Sequence, residues 1–169
     1  SDVYKRQTNI SVELNLTDKF VAITLEGSSE NWFGIAFNAH TMADLPYSII
    51  VDGYGNVTER KLGNHDGGRL LKPTIKVLSN VVENNIRKVK LTRSSSETNT
   101  DYYTFTKDKA NIPILLALGS TPTFGYHKVR GTNSLYLNSI NGTTCICNDG
   151  KGGSINGLGF SKNCRGEPY

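Results

Sequence analysis

The chain has 169 residues, 37% of them hydrophobic and 20% charged, with a net charge of +4. That length holds one domain with a real core and is too short for two ordinary ones. The charge excess is too mild to single out an acidic partner. No stretch nears the roughly 18 uninterrupted apolar residues of a membrane helix, because the longest candidate, Ile112 to Leu118, has strand length and contains Pro113, so no membrane span is expected.

In chain order, Ser1 to Gln7 carry no structural pattern and, with Thr8, form an N-terminal extension; without an initiator Met or an apolar signal region the chain reads as a mature or trimmed product. Period-two alternation then begins: Ile10, Val12, Leu14 and Leu16, next Val21, Ile23 and Leu25, next Phe33, Ile35 and Phe37, each set on one face of a strand. Further strands are predicted over Tyr47–Val51, Val57–Leu62, Ile75–Leu78, Ile86–Leu91, Tyr102–Thr106, Ile114–Leu118, Tyr126–Val129 and Leu135–Leu137. Asp52-Gly53 with Gly55-Asn56, Asn84-Asn85 and Gly131-Thr132-Asn133 supply turn chemistry, and the Gly-bearing segment His65 to Lys72 reads as a loop. About ten short strands without helical periodicity predict an all-β sandwich or barrel.

The basic stretch Arg87, Lys88, Lys90 and Arg93 falls on one of these strands. It has no accompanying aromatic platform, so it reads as a solvated strand face and nucleic acid is not an expected partner. Asn-x-Ser/Thr sites at Asn9, Asn15, Asn56 and Asn141 point to the secretory pathway and an extracellular location.

After Ile140 the composition turns Gly- and Asn-rich and includes all three cysteines, so 141–169 reads as a tail or edge extension. In an oxidising compartment Cys164 pairs with Cys145 or with Cys147, two choices the spacing leaves open, and the remaining thiol is available to another chain.

Searches for catalytic motifs find no Gly-x-Ser-x-Gly elbow, no phosphate-cradling loop and no His-x-x-x-His pair, and His40, His65 and His127 stand far apart. No catalytic residues are expected. Two residues remain unusual. Met42 is the only methionine and sits in a polar loop after a strand; by itself it reads as a loop residue folded back onto the core. His127 shares a strand face with Gly125 and Val129, and by itself reads as a hydrogen-bonded residue at a sheet margin.

The stretch Trp32 to Phe37, then Met42, then Tyr47 to Val51 with Asp52-Gly53, resembles the first half of a DOMON domain. Asn85 to Arg93, Ile112 to Gly119, Tyr126-His127 and Arg130-Gly131 resemble the second half, and together the resemblance covers residues 9–140. It implies an immunoglobulin-like sandwich binding haem b, with Met42 and His127 at the positions of the family's axial ligands. The implied function is one-electron transfer to a redox partner protein or domain. A filled axial pair leaves iron no open site for oxygen, and Met favours the reduced state. Without a Cys-x-x-Cys-His motif the haem would be non-covalent.

Trp32, Tyr47 and Tyr126 are expected to wall the ring, with Lys128 or Arg130 at the propionates. Other DOMON domains are associated with sugars or lack haem. Two alternatives therefore stand beside the cytochrome: a carbohydrate-binding module without haem, and a structural or assembly module of an extracellular complex.

Overall fold

The structure is a computed structural model that describes residues 8–109, 111–136 and 143–147. It is a two-sheet antiparallel β-sandwich, as the alternation predicts. The strands are β1 (Ser11–Leu16), β2 (Phe20–Ser28), β3 (Phe33–Phe37), β4 (Tyr47–Val51), β5 (Val57–Gly63), β6 (Asp66–Leu70), β7 (Lys76–Glu83), β8 (Ile86–Ser94), β9 (Asn111–Gly119), β10 (His127–Tyr136) and β11 (Thr143–Cys147). One sheet has the order β11-β1-β2-β8-β7 and the other β10-β9-β3-β4-β5-β6. The sandwich is drawn together where β10 nears β11, which leaves β6 and β7 as edges on the other side.

The core comes from the period-two residues. Val12, Leu14, Val21, Ile23, Leu25, Val89 and Leu91 of the first sheet face Phe33, Ile35, Phe37, Ile49, Val51, Ile112, Ile114 and Leu116 of the second, all of them buried. β3 and β4 are buried at every position. Their second face is small at Gly34 and Ala36, and nearby Trp32 is covered by Phe124, whose ring meets the indole edge-on at 4.8 Å. Gly119 makes that approach possible, since a β-carbon there would collide with the Trp32 ring.

Four expectations change. Tyr102–Thr106 is not a strand: Tyr102 and Phe105 plug the core from an irregular segment, and the Tyr102 hydroxyl donates to the Lys72 carbonyl at 2.7 Å, so alternation there reflects docking. Within His65 to Lys72 lies β6, an exposed edge strand without apolar alternation that pairs with β5 through its backbone after a turn with His65 at φ 64°. Gly131-Thr132-Asn133 is no turn but the middle of β10, opposite Leu116, Leu115 and Ile114, because a ladder along β9 outweighs local turn preference. Part of the expected tail forms β11, whose register pairs Glu13 with Cys145 and Ser11 with Cys147. Asn141 and Cys164, and with Cys164 the expected disulfide, lie outside the described residues.

Candidate functional site

Beyond Phe37 the chain leaves the sheet, and the amides of Asn38 and Ala39 donate to the Pro113 carbonyl at 2.7 and 3.2 Å. A single 3-10 turn over Met42–Asp44 follows, capped by the Thr41 hydroxyl, which accepts from the Ala43 amide at 3.1 Å. The Asp44 carboxylate accepts from the amides of His40 (2.8 Å) and Thr41 (3.2 Å), which hold it below its ordinary pKa. The Leu62 amide then donates to the Pro46 carbonyl at 2.9 Å and seats this loop against the end of β5. Met42 is half-buried here.

His127 stands at the other end of the same sheet. It opens β10 opposite Gly119, whose amide donates to the Trp32 carbonyl at 2.8 Å, just before β3 begins. Along β9 the level of Met42's loop is Pro113 and that of His127 is Gly119, six residues or about 20 Å away. One iron needs its two axial donors about 4–5 Å apart, from bonds of about 2.0–2.3 Å. Met42 and His127 therefore do not form an axial pair, and the expected haem site is not assembled. The cause is topological: β3 and β9 are antiparallel, so the segments after each leave from opposite ends.

The expected wall is divided in the same way. Trp32 and Tyr126 lie at the His127 end, whereas Tyr47 is a core residue beside Phe37. Lys128 and Arg130 are exposed on β10, at the end away from Met42. His127 stacks on Tyr126 with centroids 4.7 Å apart. Partial burial, reinforced by the Arg130 charge, holds its imidazole below the ordinary pKa, which favours the neutral ring.

Near Tyr47 sits a buried polar cluster that the motif search missed. The Glu59 carboxylate, 2% exposed, accepts from the Tyr47 hydroxyl, the Thr74 hydroxyl and the Thr74 amide, each at 2.6 Å, and from the Ile75 amide at 3.1 Å. Burial above all pushes the Tyr47 phenol far above its ordinary pKa. Arg93 is also buried, not part of a solvated face. Its Nε and Nη2 donate to the carbonyls of Ser94 and Tyr103 at 2.9 and 2.6 Å, and its guanidinium lies over Tyr47 and Phe105. Strand parity held the signal, since Arg93 falls in phase with the inward Val89 and Leu91. With four donors on the Glu59 carboxylate, the cluster anchors the segments of Thr74 and Tyr103.

The His127 end has a different character. Residues 52–56 form a tight turn in which Asp52 Oδ1 accepts from the amides of Tyr54 and Asn56, each at 2.9 Å, and Gly55 takes φ 94°. The Gly53 amide donates to the Pro122 carbonyl at 2.8 Å, tying this turn to the β9–β10 loop. From the first sheet, Asn80 Nδ2 donates to the Gly55 carbonyl at 2.9 Å, and Arg87 Nη1 donates to Asn80 Oδ1 at 2.7 Å. Arg60 lies 4.9 Å over the Phe124 ring and fixes the loop from below. Among the described residues the two most exposed aromatic side chains, Tyr54 at 70% and Tyr126 at 85%, project from these joined loops.

Among the described residues no group of three or more His, Cys, Asp or Glu is placed to hold a metal ion. No family model and no curated protein matches the chain.

Proposed function

We propose that the chain is a secreted, non-enzymatic β-sandwich module that binds carbohydrate at the end bearing Tyr54 and Tyr126. The observation that carries this reading is the hydrogen bond between Gly53 and Pro122, which holds the loops of two largely exposed tyrosines together. A tyrosine ring offers an apolar face to the C–H surface of a sugar ring and a hydroxyl to its polar rim. Fixing two such rings on tied loops lowers the ordering cost of binding.

The resemblance to DOMON domains supports the same reading through the family's sugar-associated members. Exposure of Asn9, Asn15 and Asn56 agrees with passage through the secretory pathway. A haem b cytochrome built on Met42 and His127 is not proposed, because the two residues lie at opposite ends of the sheet. Calorimetric titration with oligosaccharides, comparing the wild type with Tyr54→Ala and Tyr126→Ala, tests the proposal. Binding that both substitutions weaken supports it, and binding indifferent to them overturns it.

A further inference from the structure

β7 is an exposed apolar edge whose one guarding feature is a bulge. Among the described residues it pairs with β8 alone, and seven of its eight positions are exposed. Val77, Leu78, Val81 and Val82 are each 45–57% exposed. Natural edges are commonly guarded by proline, by a charge in mid-strand, by a bulge or by a covering segment. Here the only charges are at the two ends, Lys76 and Glu83.

A bulge sets the faces of this strand. Val77 pairs with Leu91 and Ser79 with Lys90, so Leu78 and Ser79 together oppose one residue of β8. Val77, Asn80 and Val82 consequently share the inward side with Leu91, Val89 and Arg87. Lys76, Ser79, Val81 and Glu83 share the outward side with Thr92, Lys90, Lys88 and Ile86.

With the bulge counted as a single step, β7 is complementary to itself. Rotated about a two-fold axis perpendicular to the sheet and midway between Asn80 and its copy, Lys76 comes opposite Glu83, Val77 opposite Val82, and the Leu78-Ser79 bulge opposite Val81. Both members of each pair then lie on the same face, as an antiparallel ladder requires. Without the bulge the parity would put them on opposite faces. Val77 then meets Val82, Val81 meets the Leu78-Ser79 pair, and Lys76 meets Glu83. Asn80, beside the axis, already engages Gly55 and Arg87 from within.

We propose that two copies of this chain associate through β7, antiparallel and in this register, joining their five-stranded sheets into one. The occupant is a second copy, not an unrelated strand, because a two-fold contact must be self-complementary and this strand is. The surface adjoins the proposed sugar site through the hydrogen bond from Asn80 to Gly55, and a dimer would present two such sites.

Sedimentation velocity of the full chain over a concentration series, with a non-reducing denaturing gel to exclude cysteine-linked dimers, tests the proposal. The wild type should show a concentration-dependent, non-covalent dimer. Lys76→Glu and Glu83→Lys each set like charges opposite one another twice, and each should weaken the dimer by about tenfold. The double exchange should restore it. Val81→Lys should leave only monomer, with an unchanged far-ultraviolet circular dichroism spectrum showing that the fold is intact. A wild type that stays monomeric at every concentration overturns the proposal. So does a dimer indifferent to these substitutions, or a double exchange that fails to restore association.

Discussion

Met42 and His127 lie beyond opposite ends of the six-stranded sheet, one past Phe37 and the other beside Gly119. With β3 and β9 paired antiparallel, the two residues stand at levels about 20 Å apart along the sheet. Titration of the protein with haemin should therefore give no low-spin species that depends on both residues. Met42→Ala and His127→Ala should reproduce the wild-type spectrum in both oxidation states. A reducible b-type spectrum lost in both variants would refute this placement.

Glu59 brings a stability prediction. Its carboxylate accepts four hydrogen bonds in the core, so Glu59→Ala leaves buried donors on Tyr47 and Thr74 unpartnered. Chemical denaturation should show a loss of about 3 kcal/mol or more, whereas Tyr47→Phe, which removes one donor, should cost about 1–2 kcal/mol. Equal and small losses would mean that the cluster does not organise these loops.

His127 gives the end of the sandwich a pH dependence. Its folded pKa lies below the unfolded value, so the unfolded chain takes up the proton first on acidification. The stability due to the neutral ring is fully present above about pH 6.5 and is lost as pH falls through the unfolded value toward the lower folded one. The melting temperature should fall over that window, and His127→Gln should flatten the fall. An unchanged pH profile in the variant would assign the dependence to another group.

Gly53 connects structure to binding. A β-carbon at this position would press into Pro122 and the Glu30 carbonyl. Gly53→Ala should force the turn of Tyr54 away from the loop of Tyr126, weakening sugar binding by about tenfold or more and costing about 1–3 kcal/mol of stability. Loss of stability without loss of sugar affinity in Gly53→Ala would contradict the tying role of the Gly53–Pro122 hydrogen bond.

Much of the fold was legible because burial imposes period two. Val12, Leu14, Val21, Ile23, Phe33 and Ile35 announce their faces in the residue pattern and occupy them in the sandwich. β6 was illegible for the complementary reason: it buries almost nothing, and its existence rests on backbone pairing to β5. The turn chemistry of Gly131-Thr132-Asn133 misled because it is local, whereas β10 is held by its long register with β9.

The candidate site was less legible. Tyr126 reads from the sequence as a wall of the haem, and Tyr54 gives no signal, since exposure at a turn leaves no periodic trace. Order along the chain brought Met42 and His127 to notice but carries no information about which end of a sheet each residue occupies. That follows only when β3 and β9 are known to be antiparallel neighbours.

The central claim, a carbohydrate site on the joined loops, is tested most directly by following backbone amide resonances of the isotope-labelled protein during titration with a panel of oligosaccharides. The account predicts shifts confined to residues 52–56 and 120–127, and their disappearance in the Tyr54→Ala, Tyr126→Ala double variant. No response to any sugar, or shifts centred instead on residues 38–46 around Met42, would contradict it.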